Sequence, residues 1–222
     1  MQGSEIKHRE TTNVILVCFA VKPEAKAFVK FAGERRNVHV LLTGMGRTNA
    51  MRAVHGFLDE CRPVLILSCG FAGGLNPELT SGSVVFAGDG RAGQEEAFIA
   101  AGARKVKFHC ADHVATTAEE KHALFESSGA DAVEMESGVV ATLCREANIP
   151  FATLRVILDT ADRDLPLDFN LLMTSDWRLN YWKLALALLA RPWKIFGLMN
   201  LETQSDRAAA ALAKVLSTVI PD

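Results

Sequence analysis

Short apolar runs rich in β-branched residues alternate with amphipathic segments along the chain, and this alternation limits the fold more than any other feature. The apolar runs span residues 13–20, 38–43, 64–69, 83–87 and 151–158, and the helical patterns span 24–32, 47–61 and 137–147. Continuous apolar runs are typical of strands buried on both faces, and their alternation with helices is typical of βαβ units. The sequence therefore predicts an α/β fold in which helices flank a central sheet that is parallel or mixed.

The length of the chain indicates one domain, because 222 residues with 49% hydrophobic content can bury one sizeable core. We expect a polar N-terminal tail at 1–12 and a domain at 13–222 that ends in an apolar helical segment at about 177–219. Helical patterns at 177–190 and 202–219 flank an apolar stretch at 193–201. Arg191-Pro192 interrupts the segment, so neither side reaches the ~20 residues of a membrane span. Residues 88–103 are rich in Gly, Ala and charged side chains, and this composition predicts a mobile loop.

Charge and cysteine content exclude several classes of function. The net charge of −2 without a basic stripe argues against a nucleic-acid partner and favours a small-molecule substrate. The five cysteines are odd in number and form no C-x-x-C pair, and residues 1–12 lack the apolar core of a secretory signal. We therefore expect a cytoplasmic protein with reduced thiols. The six histidines show no metal-ligand spacing, so no metal is expected.

Three acidic residues lie in positions suited to sugar chemistry. Glu134 and Glu136 precede a helical pattern and can accept hydrogen bonds from vicinal sugar hydroxyls. Asp159 follows an apolar strand, where burial should raise its pKa and let it donate a proton near neutral pH. Arg155 lies inside the same apolar run, and a buried Arg needs a partner or a ligand. Two structural alternatives remain. Asp159 can cap a turn, and Glu134 and Glu136 can be first-turn acids that the helix dipole stabilises.

Several segments carry a resemblance to a known family. They are Val133-Glu134-Met135-Glu136-Ser137, Ile149-Pro150-Phe151 and residues 155–162, preceded in order by 14–25, 41–50 and 65–75. Together they resemble the nucleoside phosphorylase and 5'-methylthioadenosine/S-adenosylhomocysteine nucleosidase superfamily. The resemblance implies a single-domain, three-layer fold with a central mixed sheet. It also implies release of a purine, with adenine expected, from a ribonucleoside by phosphorolysis or hydrolysis, in a homodimer or higher homo-oligomer.

The resemblance further implies roles for individual residues. The residue that matches Asp159 protonates or hydrogen-bonds N7 of the purine, and the one that matches Glu24 orients and deprotonates the attacking water. Arg155 would clamp the nucleophile together with Glu24. Glu136 would accept from the 2'- and 3'-hydroxyls, and Met135 would form an apolar floor beneath the ribose. Glu24 also suits the first turn of a helix, which is its structural alternative.

Two glycine-containing segments are candidate binding loops. The first consists of Gly70, Phe71, Ala72 and Gly73, and the second contains Gly44 and Gly46. The first can offer backbone N–H donors to an anion or a sugar oxygen, or be only a tight strand exit. Phe71 stands where family members usually carry a Ser that contacts phosphate or water, so phosphate is only a potential co-substrate. No acidic residue follows at the next strand end, which argues against NAD, and no other cofactor is expected.

The C-terminal apolar segment bears on the 5'-substituent of the substrate. Residues 159–166 and 177–201 resemble the hopanoid-associated phosphorylases, which act on adenosylhopane. A wall for a large apolar 5'-group could be formed by Tyr181, Trp182, Leu184, Leu188, Trp193, Ile195, Phe196 and Met199. The same pattern fits a core or dimer face, or a patch for weak membrane-surface association flanked by Lys183, Arg191 and Lys194. Two other functions stay open: a methylthioadenosine/S-adenosylhomocysteine hydrolase, and a catalytically silent nucleobase-binding protein.

Overall fold

The computed structural model describes residues 13–33, 35–91 and 93–220, so the predicted tail at 1–12 lies outside the described residues. The strands are β1 (Ile15–Phe19), β2 (Val38–Leu42), β3 (Leu65–Gly74), β4 (Val84–Gly88), β5 (Arg104–Lys105), β6 (Phe108–Cys110), β7 (Ala132–Glu134) and β8 (Phe151–Asp159). The helices are α1 (Lys22–Ala32), α2 (Arg47–Glu60), α3 (Glu95–Ala100), α4 (Ala118–Ser128), α5 (Ser137–Glu146), α6 (Phe169–Leu172), α7 (Tyr181–Ala190) and α8 (Lys194–Val219).

The strands form one mixed sheet, which confirms the predicted fold class. Its main path runs β2-β1-β3-β8-β4-β5. The neighbours from β2 to β8 are parallel, whereas β4 runs antiparallel to β8. Strand β7 pairs with the end of β3 on one side and with β6 on the other. The parallel strands β1, β3 and β8 therefore end at the same edge of the sheet.

Helices cover both faces of the sheet because the central strands are apolar on both faces. Strand β1 shows the division: Val17 and Phe19 pack in a core with α1, α3 and α8, while Leu16 and Cys18 pack in a second core with α2 and α5. Burial of one large apolar side chain stabilises a fold by about 1.5–3 kcal/mol, so these two cores supply the main stabilisation. The result is the three-layer arrangement expected from the sequence.

Three predicted boundaries differ from the structure. The glycine run at 70–74 is not a strand exit but the second half of β3, because β8 pairs along one side of it and β7 pairs with its last two residues. Residues 88–103 are not only a loop: they include α3, whose Phe98 is buried against Phe86. The apolar stretch at 193–201 is not a separate segment but the first part of α8. In each case tertiary pairing or packing overrides weak local preference.

Helix α8 changes character along its length. Its second half carries buried residues such as Leu212 and Leu216 into the first core, next to α1 and the sheet. Its first half and the whole of α7 contain no buried residue. Among the described residues, no helix is both long enough and apolar enough to cross a membrane.

Candidate active site

A cavity of about 320 Å³ lies at the edge where β1, β3 and β8 end. In open α/β sheets this edge is where ligands usually bind, because the loops that follow neighbouring strands converge there. The polar part of its lining is Glu24, His113, Glu134, Glu136, Asp159 and Ser205. The apolar part includes Met45, Phe71, Val133, Met135, Leu158, Leu165, Phe169, Met173 and Leu201. The four acidic residues that the sequence analysis singled out thus share one cavity.

Glu24 is held at the start of α1 by backbone donors. The N–H groups of Ala20 and Val21 donate to Oε2 at 2.9 and 3.1 Å, and the N–H of Phe71 donates to Oε1 at 2.9 Å. A carboxylate has about four acceptor positions, so one on Oε1 remains for a ligand or water. Burial raises the pKa of Glu24, while Arg155 and the three N–H donors oppose the shift. The group is therefore a stronger base than an ordinary Glu.

Arg155 is buried in β8 beneath the cavity and carries the positive charge of the site. Its Nη2 donates to Glu134 Oε2 at 2.7 Å, to Ser68 Oγ at 3.2 Å and to Glu136 Oε2 at 3.4 Å. Unpaired, such a charge would be strongly destabilising in the interior, so the surrounding carboxylates are a condition of its burial. Because Arg155 is engaged in this way, it orients the carboxylates and does not itself line the cavity.

Gly70 is required where Glu24 and Arg155 meet. A Cβ at Gly70 would lie 2.5 Å from Arg155 Nη1 and 2.6 Å from Glu24 Oε1, and the φ of +153° is itself unfavourable for other residues. Any side chain here would separate the carboxylate from the guanidinium. The glycine thus serves the charge cluster and is not part of the cavity lining. Phe71, Ala72 and Gly73 follow in β3 and do line the cavity, although the Phe71 N–H is already used by Glu24.

Glu134 acts as a cap for α5. Its Oε2 accepts from the N–H groups of Glu136 and Ser137 at 2.9 and 2.7 Å, and its Oε1 accepts from Ser137 Oγ at 2.7 Å. Burial alone would raise its pKa, but the Arg155 guanidinium and the Ser137 and Glu136 donors hold the pKa below its usual value. Glu134 is therefore the ionised partner of Arg155, and its structural role is larger than the sequence indicated.

Glu136 differs from Glu134 although only one residue separates them. Its Oε1 accepts from the Gly46 N–H at 2.8 Å, and Gly46 adopts a φ of 82° that favours glycine. Burial raises the pKa of Glu136 to about 7, with Arg155 opposing the shift and the charges of Glu134 and Glu24 adding to it. Gly44 and Gly46 lie outside the cavity lining, so the second glycine segment positions Glu136, while Met45 between them reaches the cavity.

Asp159 ends β8 and forms an ion pair with Lys121 of α4, a residue that the sequence analysis missed. Lys121 is completely buried and its Nζ also donates to the backbone carbonyls of Thr160 and Arg163 at 3.0 and 2.7 Å. Burial raises the pKa of Asp159, and the ammonium of Lys121 opposes part of that shift. One signal was present in the sequence: Lys121 lies three and four residues before Leu124 and Phe125, on the apolar face of α4.

Removing the Lys121 charge should move the alkaline limb of activity. In Lys121→Met the pKa of Asp159 should rise further, because the opposing charge is gone, so the protonated acid persists to higher pH. We expect the alkaline limb of kcat/KM to shift upward by about 1 pH unit or more. The matched control is Lys107→Met, since Lys107 is exposed and donates to the Ser128 carbonyl at the other end of α4. An unchanged limb in Lys121→Met would reduce Lys121 to a purely structural role.

The aromatic residues predicted to wall a 5'-pocket are not in the cavity. Trp182, Trp193 and Phe196 are 83%, 65% and 73% exposed, and none lines the cavity. The apolar wall comes instead from Phe169 and Met173, which follow the loop after β8, together with the residues at the middle of α8. The error arose because periodicity shows that a helix has an apolar face but does not show what the face meets.

Among residues 13–33, 35–91 and 93–220, no group of three His, Cys, Asp or Glu side chains is arranged to hold a metal ion.

A second cavity of about 700 Å³ shares Leu158, Asp159, Leu165 and Leu201 with the first. The two cavities therefore share one wall, which includes Leu165 and Leu201.

Comparison with known proteins gives one family and a shared fold. A sequence model described as the phosphorylase superfamily matches residues 17–102 and 103–190. The structure superposes on futalosine hydrolase of Helicobacter pylori with a TM-score of 0.68 and 16% identity, covering 94% of this chain and 97% of that one. A variant of the H. pylori 5'-methylthioadenosine/S-adenosylhomocysteine nucleosidase with 5'-methylthioadenosine in its active site gives a TM-score of 0.69 and 14% identity, covering 94% and 98%. The Neisseria meningitidis nucleosidase, in complex with methylthio-immucillin-A, gives 0.66 and 17%, covering 94% and 98%.

Proposed function

Because the chain belongs to the phosphorylase superfamily, we propose that it cleaves the N-glycosidic bond of a purine ribonucleoside by hydrolysis, with adenine as the released base. The observation that carries this proposal is the set of carboxyl groups in one cavity, each with a different environment. Asp159 has a raised pKa beside Lys121, Glu136 has a pKa of about 7, and Glu24 keeps one acceptor position open. Acid and base roles at one pH require carboxyl groups in different environments, and the partners of these three groups differ.

In the proposed reaction, water attacks C1' of the ribose while the bond from C1' to the purine nitrogen breaks. Glu24 accepts a proton from the water, and the bonding electrons pass to the base. Asp159 donates its proton to N7, so the base leaves neutral. Positive charge develops on the ribose in the transition state, and an ionised Glu136 that accepts from the 2'- and 3'-hydroxyls stabilises it. The products are the free purine and the free sugar.

Charge in the cavity favours water over phosphate as the nucleophile. Within the described part of the chain, no Lys or Arg lines the cavity, whereas four acidic residues do. Arg155 is neutralised by Glu134, and Arg47 pairs at the surface with Asp112. A phosphate ion carries one to two negative charges and would have to approach Glu24 and Glu136 without a free cation. Water carries no such penalty.

The wall of the cavity favours an apolar 5'-substituent. The surfaces of Leu165, Phe169, Met173 and Leu201 offer no charged partner for a phosphate or carboxylate group. The volume of about 320 Å³ is at the lower end of the roughly 300–1,000 Å³ typical of ligand pockets. A nucleoside with a compact apolar group, such as a 5'-alkylthio group, fits this wall.

Product analysis tests the proposal. The protein is incubated with adenosine, 5'-methylthioadenosine, a 5'-alkylthioadenosine with a longer chain, and inosine, each with and without inorganic phosphate. We expect adenine release at a rate that phosphate does not raise, free sugar as the second product, and higher kcat/KM for the 5'-alkylthio substrates than for adenosine.

Three other outcomes are distinguishable. Sugar 1-phosphate that forms only in the presence of phosphate would show a phosphorylase and contradict the charge argument. Faster turnover of inosine would contradict adenine as the base. Binding of the nucleosides without release of any base would favour a catalytically silent binding protein.

A further inference from the structure

An exposed apolar surface, here called the tail surface, lies on α7 and the start of α8. It consists of Trp182, Leu186, Leu189, Trp193, Phe196 and Met199, which are between 59% and 83% exposed. In α7 the members are four and three residues apart, and at the start of α8 they are three and three residues apart. At these spacings each helix presents its members on one face. Six large apolar side chains this exposed on two successive helices indicate an interaction surface.

Cationic side chains outnumber carboxylates beside the tail surface. Residues 177–201 contain four cationic side chains, Arg178, Lys183, Arg191 and Lys194, and no carboxylate, while Asp176 and Glu202 flank the segment. The whole chain has a net charge of −2, so this positive segment is a local concentration. No carboxylate in the described ranges forms an ion pair with any of the four. The partner of this surface should therefore supply negative charge around an apolar centre.

An anionic lipid surface meets both requirements better than a second copy of the chain does. In a two-fold dimer the same patch meets itself, so the four cations of one copy would face the four of the other, with only Asp176 and Glu202 at its margins to offset them. At a bilayer, Trp side chains sit at the boundary between head groups and acyl chains, and nearby Lys and Arg attract anionic head groups. A short amphipathic helix lies in that boundary with its apolar face buried about 5–10 Å deep.

We propose that α7 and the first two turns of α8 dock the protein on an anionic lipid surface, with α7 lying in the plane of the interface. The second half of α8 is fixed in the core through residues such as Leu212, so the docked helix is joined rigidly to the domain. Leu201, between the two halves, lines the cavity described above. Docking would place the part of α8 that lines the cavity near the lipid, whatever reaction takes place there.

Vesicle binding of the full chain tests the proposal. We expect the wild-type protein to sediment with vesicles of phosphatidylglycerol and phosphatidylcholine in equal amounts, to bind pure phosphatidylcholine more weakly, and to be released by salt. The double variant Trp182→Ser/Phe196→Ser should lose about tenfold or more in partitioning. Lys183→Gln/Arg191→Gln should lose the preference for the anionic vesicles. A matched control, Ile99→Ser, changes an apolar residue of α3 that is also more than half exposed, and should bind as the wild type does.

Light scattering of the same proteins without lipid separates the rival partner. All the variants should keep the wild-type mass in solution, and adenosine-derivative cleavage measured without lipid should be unchanged. Absence of wild-type binding to anionic vesicles would overturn the proposal. A lower mass in Trp182→Ser/Phe196→Ser, with vesicle binding unaffected, would assign the tail surface to a second copy of the chain.

Discussion

Asp159→Asn should lower kcat for base release by about 10²- to 10⁴-fold while the nucleoside still binds. The amide keeps the shape of the carboxyl at the end of β8 and its contact with the backbone, but it cannot give a proton to the base. Burial raises the pKa of Asp159 and so favours the protonated carboxyl, whose transferable proton is what the substitution removes. Single-turnover kinetics give the chemical step, and equilibrium binding of a non-hydrolysable adenosine analogue gives the affinity.

The control for this prediction is Asp162→Asn. Asp162 lies three residues further along the chain, is exposed, and accepts from Thr160 Oγ1 at 2.5 Å. Its substitution removes one carboxylate from the same loop without changing the lining of the 320 Å³ cavity, so activity should stay within about twofold. If Asp159→Asn instead weakens binding and leaves the turnover of bound substrate unchanged, Asp159 holds the base and does not protonate it.

Most of the central sheet could be predicted from the sequence because strands buried on both faces leave a clear pattern. The runs that became β1, β2, β4 and β8 were identified within one or two residues of their ends. Strands β5, β6 and β7 have two or three residues each and depend on pairing with strands distant in sequence, so no local pattern marks them. The extension of β3 through Gly70 to Gly74 was missed for the same reason, since glycine has low strand preference and pairing with β8 decides its conformation.

The candidate site was predictable in its residue types but not in its connections. Glu24, Glu136 and Asp159 were chosen from the motifs, and the structure brings them to one cavity. Lys121 could not be assigned, because the contact with Asp159 joins residues 38 positions apart and a Lys in a helix usually faces solvent. The different pKa values of Glu134 and Glu136 also depend on tertiary contacts, since only Glu134 receives the Ser137 donors and the short contact with Arg155.

The buried charges of this site cost stability, and that cost can be measured. Glu24, Glu134, Glu136 and Arg155 are all buried together, with three carboxyl groups for one guanidinium. Ionisation of all three would leave an excess of negative charge in the interior, which is strongly unfavourable. The raised pKa values of Glu24 and Glu136 are the direct consequence. In the proposed function this arrangement serves binding and catalysis and not the fold, so removal of one charge should change activity and stability in different directions.

Glu136→Gln should make the protein less active and, at alkaline pH, more stable. Activity should fall by about 10²- to 10³-fold in kcat, because the amide loses the negative charge that stabilises the cationic ribose. In the folded protein the pKa of Glu136 is about 7, whereas in the unfolded chain it is about 4.3. The folded state therefore binds the proton of Glu136 more tightly than the unfolded chain does. The wild type loses stability as the pH rises between these two pKa values. Gln resembles the neutral form and has no such loss.

Urea unfolding of both proteins across the pH range gives the measurement. The stability of Glu136→Gln relative to the wild type should rise between about pH 4.3 and 7, by on the order of 3 kcal/mol at most.

The control is Glu134→Gln, for which the expected change in stability has the opposite sign. The pKa of Glu134 is lowered by Arg155 despite its burial, so its ionised form contributes stability that is present above the unfolded pKa and is lost in acid. Glu134→Gln should therefore be destabilised at neutral pH. If Glu136→Gln is also destabilised at neutral pH, the fold favours an ionised Glu136, and the carboxylate is then ready for the ribose before any substrate binds.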